Sequence, residues 1–237
     1  MDILKAIAKP LIDDYIAHGD QIHFDYDSAR IKGFLFTRKE IMRLLDSSKH
    51  LFAMWALSTD SSPTPKKHLN LILIGVVTDN SHLGRGTLNT DKLEITAKPI
   101  YNGSLKLPSG RVIKSTKSTE SNQGERPLPK VLEAMIRDFK TATNNHLRDK
   151  NGEIIKGYHI EEIDLIDLTL RTPLTLSNEM DEFIFTPVIR KDKLPELTFE
   201  SPFVSLAITR YHQGELMGYT REYCLPCPTA CPTGYQM

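Results

Sequence analysis

Three cysteines lie within eight residues near the end of the sequence: Cys224, Cys227 and Cys231. Thiolates with this spacing on an extended, proline-rich chain can converge on one soft metal ion. Zinc in a structural site normally takes four protein ligands, so a fourth must come from elsewhere. His212 is the nearest candidate in the sequence. The pattern therefore predicts a zinc site formed by Cys224, Cys227, Cys231 and His212.

The cysteine cluster has other interpretations. An iron–sulfur cluster held by cysteines alone needs a fourth cysteine, and the sequence has three. A redox pair of the Cys-x-x-Cys type stands at a helix N-terminus, whereas Pro228 and Pro232 disfavour a long helix after Cys227. The simplest alternative is an exposed tail with free thiols, because an odd, clustered set does not resemble a disulfide framework.

A second group of polar residues stands near the N-terminus. His23, Asp25 and Asp27 alternate with aromatic residues, so in an extended segment they share one face. Such a face can bind a cation or supply a general base. Together with His82 it defines a further alternative, a hydrolase-like enzyme with a histidine–carboxylate site. The simpler interpretation is the solvated face of an edge strand.

Known catalytic motifs are missing from the sequence. The glycine-bearing segment 79–86 follows a very apolar run, but its spacing matches neither common phosphate-binding glycine motif. The nucleophile elbow of serine hydrolases, the zinc-protease helix and the kinase signatures do not occur either. The sequence therefore favours a non-catalytic protein-interaction or self-assembly module, with metal binding and hydrolysis as the alternatives.

Charge is balanced overall but unevenly distributed. Thirty basic and thirty acidic residues cancel, so the chain as a whole favours neither nucleic acid nor an anionic membrane. Residues 1–126 carry 18 bases and 14 acids, net +4, whereas residues 127–237 carry 12 bases and 16 acids, net −4. Segment 98–126 alone has six bases and two acids, yet Tyr101 is its single stacking platform. This polarity predicts a protein partner or head-to-tail self-association, with nucleic acid disfavoured.

Hydropathy gives no sign of a signal peptide or a membrane span. Charged residues interrupt the apolar runs near the N-terminus, and the longest apolar stretch, 71–77, is far too short to cross a bilayer. We therefore expect a cytoplasmic protein.

The pattern of apolar residues predicts three helices and a set of strands. Residues 3–17 have helical spacing, with Pro10 expected to kink or split the helix. Thr37 and Glu40 have the spacing of a capping box at the start of a second helix, and a third helix is expected from Pro127 to about Arg148. The predicted strands cover 31–36, 51–57, 69–77, 93–97, 163–170, 183–189, 203–211 and 216–223.

The order of these elements indicates the fold class. Helices and strands cluster along the chain instead of alternating, which favours an α+β fold. We expect a largely antiparallel central sheet with about three helices packed on it. One domain should span residues 1–223, with a possible subdivision within 98–126, and residues 224–237 should form a Cys/Pro-rich C-terminal tail.

Overall fold

The computed structural model of this 237-residue chain is an α+β fold with antiparallel sheets, as the sequence predicts. It describes residues 3–19, 22, 24–26, 29–45, 48, 50–59, 67–78, 86–94, 98–100, 105–106, 112–113, 129–149, 151–161, 181–191, 202–212, 215–221 and 225–227.

The described helices are α1 (Ile3–Ala17), α2 (Arg38–Leu45) and α3 (Pro129–Phe139), and a short 3-10 helix spans Asn144–Leu147. The described strands are β1 (Asp25–Tyr26), β2 (Ala29–Arg30), β3 (Gly33–Thr37), β4 (His50–Thr59), β5 (Lys67–Thr78), β6 (Gly86–Glu94), β7 (Lys98–Ile100), β8 (Leu105–Lys106), β9 (Val112–Ile113), β10 (Gly157–Glu161), β11 (Asp181–Arg190), β12 (Phe203–His212), β13 (Glu215–Arg221) and β14 (Leu225–Cys227).

Most of these strands form two five-stranded antiparallel sheets, where the sequence suggested one central sheet. The first sheet has the strand order β14-β10-β4-β5-β6, and the second has the order β13-β12-β11-β3-β7. The pair β4 and β5 is joined over ten residues, from His50 opposite Val76 to Thr59 opposite Lys67. Both strands are nearly continuous apolar runs, which is typical of strands covered on both faces.

The main core lies between the two sheets. Alternate residues of each strand point to opposite faces, so one set of side chains faces the other sheet. This set includes Leu51 and Trp55 of β4, Tyr158 of β10, and Phe183 and Phe185 of β11. The core is therefore built from every second residue of the central strands.

Helices cover the outer faces of both sheets. Ala8 and Ile12 of α1 pack on Phe52 and Met54, which point away from the second sheet. On the far side, Met135 of α3 packs against the outer face of β11 and β12. The result is four layers, helix–sheet–sheet–helix, and it explains why both strands of the β4–β5 pair are apolar on both faces.

Two local predictions about helices have different outcomes. The capping box at the start of α2 is confirmed: the Thr37 amide donates to Glu40 Oε2 at 2.5 Å, and the Glu40 amide donates to Thr37 Oγ1 at 3.3 Å. The helix at 3–17 is confirmed as well, but it continues through Pro10 as one element. Buried contacts before and after the proline, at Ala8 and Ile12, hold both halves on the first sheet.

The strand predictions hold best for the most apolar segments. Strands β4, β5, β11 and β12 match the predicted segments closely. The predicted third helix is shorter than expected, because α3 ends at Phe139, well before Arg148. The strand expected at 93–97 lies earlier, at Gly86–Glu94. Predicted segment 163–170 lies outside the described residues, and β10 precedes it at Gly157–Glu161. Among the described residues, none of the helices is both long and apolar enough to span a membrane.

Candidate functional site

The structure describes two residues of the predicted zinc site, Cys227 and His212, on strands of different sheets. Cys227 ends β14, at the edge of the first sheet, where it lies opposite Gly157. His212 ends β12 in the second sheet, opposite Asp181 and Glu215. Cys224 and Cys231 lie outside the described residues. The zinc site of Cys224, Cys227, Cys231 and His212 thus stays a prediction, with two of its members on strands of different sheets.

The other candidate residues from the sequence are described only in part. Asp25 begins β1, which pairs with β2 in a two-stranded hairpin, whereas His23, Asp27 and His82 lie outside the described residues. Phe24, beside them, is buried and packs edge-on against Phe139, with ring centroids 5.4 Å apart. The inward direction of this aromatic side chain agrees with the simpler interpretation of the segment.

A pair of histidines that the sequence analysis did not single out lies on the first sheet. His50 begins β4 and His159 lies on β10, and their rings stack with centroids 4.9 Å apart and planes inclined by 29°. Because Tyr158 and Ile160 face the core between the sheets, His159 lies on the outer face of β10. It is 1% exposed, and His50 is half-buried at the rim of the same face.

The surroundings of His159 are unfavourable for a polar ring. Within the part of the chain that the structure describes, neither of its ring nitrogens has a hydrogen-bond partner. Its cross-strand neighbours are Phe52 on β4 and Leu225 on β14. The pKa of His159 is lowered from 6.5 to about 4, mainly by burial and secondly by the nearby His50 ring. His159 is therefore a neutral, buried imidazole near neutral pH.

Two buried side chains on the inner face of the first sheet, Trp55 and Tyr158, have clear hydrogen-bond partners. In the core between the sheets, the Trp55 indole N–H donates to the Tyr158 hydroxyl at 3.3 Å, and that hydroxyl donates to the Val204 carbonyl at 2.6 Å. Trp55 and Tyr158 belong to the first sheet and Val204 to the second. This chain of hydrogen bonds ties the two sheets together.

A buried ion pair closes one end of the same core. The Asp181 carboxylate, fully buried at the start of β11, accepts a hydrogen bond from Arg210 Nη2 at 2.5 Å. Arg38 Nη1, from the start of α2, lies 3.7 Å from the same oxygen. Two guanidinium groups thus surround one carboxylate, which fits a structural role in fixing α2 against the second sheet.

A shallow open cleft lies at the C-terminal end of α1. Its volume is about 360 Å³, and Ile16, Arg148, Glu153 and Lys156 contribute to its lining. Ile16 is one of two large apolar side chains exposed among the described residues. The cleft mixes both charges on an open surface, and none of these side chains is buried. It therefore has the character of ordinary surface.

In the C-terminal tail the structure describes one strand, β14, which pairs with β10 of the first sheet. Leu225, Pro226 and Cys227 pair antiparallel with His159, Tyr158 and Gly157 of β10. The strand before it in the chain, β13, belongs to the second sheet. Among the described strands, β13, which ends at Arg221, and β14, which begins at Leu225, are edge strands of different sheets.

The chain matches no known family model, no curated protein and no solved structure. Among the side chains that the structure describes, no three histidine, cysteine, aspartate or glutamate residues converge as a ready metal-ligand group. The histidine pair and the C-terminal strand are the two features that invite a functional explanation.

Sequence reasoning missed the histidine pair because its members are far apart in the chain. His50 and His159 are 109 positions apart, and neither stands in a recognisable motif. One signal was present: each histidine interrupts or borders an otherwise apolar, strand-like run. Only the pairing of β10 with β4 brings the two rings together.

Proposed function

We propose that this protein is a non-catalytic, cytoplasmic interaction module that self-associates by strand exchange. The C-terminal strand β14 of one copy would pair with β10 of a second copy in place of its own. The observation that carries the proposal is the way the tail joins the first sheet, as a three-residue edge strand on β10.

The attachment of β14 within one chain is slight. Among the described residues it consists of three residue pairs, compared with ten between β11 and β12. Its central residue, Pro226, has no amide hydrogen and therefore cannot donate to the ladder. A short strand that contains proline is typical of sheet edges. Such a strand can be released and rebound at low cost, which favours exchange between copies.

The route of the chain supports the same proposal. Residues 222–224 connect β13 at the edge of the second sheet to β14 at the edge of the first. A β14 strand released from its own β10 would present its backbone hydrogen-bonding groups to β10 of a neighbouring molecule. Strand addition of this kind gains affinity mainly from main-chain hydrogen bonds.

Charge supports a second copy as the partner. The N-terminal 126 residues carry net +4 and the remaining 111 carry net −4, so two copies arranged head to tail attract each other. Attraction between exposed charges weakens as salt screens it. We therefore expect self-association that falls with ionic strength, and we expect nucleic acid to compete poorly because the net charge is zero.

Sedimentation velocity of the full chain in reducing buffer tests the proposal. We expect a monomer–dimer equilibrium that shifts toward dimer with protein concentration. Replacing Leu225 and Cys227 together by proline removes two further donors from β14 and should leave a monomer at every concentration. Thr229→Pro, in the tail beyond β14, is the matched control and should dimerise like the original chain. A monomer at all concentrations and salt levels would overturn the proposal.

A further inference from the structure

We infer that protonation of His159 releases β14 from β10 and thereby starts the exchange of this strand between copies. This regulation rests on the proposed self-association, because it controls the same strand. It connects two features of the first sheet, the stacked histidines and the short C-terminal strand. The chemical signal is a proton, and the element that responds to it is the β10–β14 pair.

His159 lies on the strand from which β14 is released. It pairs with Phe52 of β4 on one side and with Leu225 of β14 on the other. The pair with Leu225 is one of the three pairs that attach β14 among the described residues. Without β14, strand β10 becomes an edge strand whose free side faces water. Release of β14 therefore opens to water the side of His159 that this strand occupies.

The closed arrangement is unsuited to a charged imidazole at this position. His159 is 1% exposed, and its two ring nitrogens have no hydrogen-bond partner among the described residues. A protonated ring carries two N–H donors, and burying a charge without partners is costly. The His50 ring is stacked on it with centroids 4.9 Å apart, so a second proton on this pair adds repulsion. A proton on His159 and a paired β14 thus oppose each other.

Ionisable residues stand on each element around this ring. They are His50 on β4, Glu161 on β10, Cys227 on β14, and Lys9, Asp13 and Asp14 on α1, which covers Phe52. The two acids of α1 have basic partners, because Asp13 accepts from Lys9 and Asp14 accepts from Lys67. His50 is the neighbour that lowers the pKa of His159, after burial as the larger cause. Water that enters when β14 leaves removes part of the effect of burial.

The direction of the pH effect follows from the two states of β10. With β14 paired, the pKa of His159 is about 4, and with β14 released it rises toward 6.5. Between these values the open state binds the proton more strongly, so opening increases as pH falls from 6.5 toward 4. In the exchanged dimer β10 is again paired with a β14 strand. Protonation therefore speeds the passage between closed monomer and dimer and favours neither of them.

The size of the effect is bounded by the two pKa values. A complete return of the pKa to its ordinary value would increase the open population about thirtyfold between pH 7.5 and 5. His50 stays beside the ring after β14 leaves, so the pKa returns only in part. We expect opening to increase roughly three- to tenfold over this range.

Hydrogen–deuterium exchange of the full chain, read by mass spectrometry, measures this opening without requiring a dimer. The chain is kept at a concentration too low for association, and amide rates are corrected for their intrinsic pH dependence. Exchange in peptides that cover β10 and β14 should then rise roughly three- to tenfold from pH 7.5 to 5, relative to β11 and β12. His159→Leu should remove this rise.

His146→Gln is the matched control. His146 is a half-buried histidine of the 3-10 helix, and its Nδ1 accepts from the Thr143 amide. Glutamine suits the same position of a capping box, so this variant loses one histidine and keeps its local structure. It should show the full rise. His159→Gln, which is uncharged at every pH, replaces His159→Leu if the leucine variant fails to fold.

The outcomes separate this regulation from the proposed self-association. If the original chain shows no rise, or if both variants at position 159 keep it, His159 does not control β14 and the inference is wrong. A chain that stays monomeric at every concentration and still shows a rise dependent on His159 refutes the proposed function and supports the release of β14.

Where the dimer forms, subunit exchange tests the second half of the inference. Two differently labelled preparations are mixed, and formation of the mixed dimer is followed at pH 7.5 and at pH 5. It should be roughly three- to tenfold faster at pH 5, and His159→Leu should remove the acceleration. Equal rates at the two pH values would overturn the link between the proton and strand exchange.

Discussion

The two faces of the first sheet differ in whether their buried polar side chains have hydrogen-bond partners. On the inner face, Tyr158 donates to a carbonyl of the second sheet and accepts from Trp55. On the outer face, its chain neighbour His159 has no hydrogen-bond partner among the described residues. A buried polar group with partners adds modest stability, whereas one without them costs about 1–3 kcal/mol. The hydrogen bonds of Tyr158 on the inner face thus stabilise the fold, whereas the buried His159 on the outer face lowers its stability.

The largest expected effect concerns the ion pair at Asp181, which the second sheet contributes to the core between the sheets. Asp181→Ala would remove the carboxylate that accepts from the buried Arg210 guanidinium and that lies 3.7 Å from Arg38 Nη1. Removing one partner of a buried pair typically costs about 3–5 kcal/mol, because a charge stays buried and uncompensated. We expect a loss of that size in urea unfolding, and a change below about 1 kcal/mol would show that the pair is not structural.

The buried His159 on the outer face should make the free energy of unfolding depend on pH. The pKa of His159 is 6.5 in the unfolded chain and about 4 in the folded one, so between these values only the unfolded chain gains a proton. The free energy of unfolding should then fall as pH falls from 6.5 to about 4. At about 1.4 kcal/mol per unit, the total loss is on the order of 3 kcal/mol.

Chemical denaturation at a series of pH values between 7 and 4 measures this loss in the free energy of unfolding. His159→Leu removes the titrating group, so the variant should lose less stability than the original chain over the same range. An equal loss in both proteins would assign the pH dependence to other groups.

Substitutions at two adjacent positions of β10 should have effects of opposite sign. Tyr158→Phe leaves the Trp55 N–H and the Val204 carbonyl without their partner and should lower stability by about 1–3 kcal/mol. His159→Leu removes an imidazole without hydrogen bonds from an apolar surrounding and should raise stability by a similar amount. Both are measured by urea unfolding at pH 7.5. If His159→Leu destabilises the protein, the imidazole has a structural role and the contrast between the faces fails.

The smallest expected effect concerns a half-buried polar group. Thr37 caps α2 through a reciprocal pair of hydrogen bonds with Glu40. Thr37→Ala removes the side-chain acceptor for the Glu40 amide and should cost about 1 kcal/mol. Thr37→Ser keeps the hydroxyl and serves as the control. Equal losses in the two variants would show that the methyl group matters more than the cap.

Sequence alone predicted the elements whose signals are local. The capping box needs only Thr37 and Glu40, three residues apart, and it is present as expected. The β4–β5 pair was visible as two apolar runs separated by a polar link, and the pairing extends over ten residues. Strand β10 was missed because it is five residues long, and a tyrosine and a histidine interrupt its apolar pattern.

The candidate site was much less predictable than the fold. The sequence pointed to Cys224, Cys227 and Cys231, whose proximity is guaranteed by their spacing, and to His212 as the nearest histidine. The structure places His212 on β12 of the second sheet and Cys227 on β14 of the first, and the zinc site they were predicted to share stays a prediction. His50 and His159 meet only through the pairing of β4 with β10, to which no local pattern points.

Composition and periodicity determined the antiparallel α+β class, the apolar central strands and the start of α2, because helix caps and alternating side chains are properties of a few consecutive residues. Tertiary structure decided the division into two sheets, the passage of the tail onto β10 and the meeting of the two histidines. These features depend on which strand lies beside which, and that choice is made by the packing of residues far apart in the chain. The physical reason is that strand pairing is non-local, so its register is fixed by the whole buried face and by no single segment.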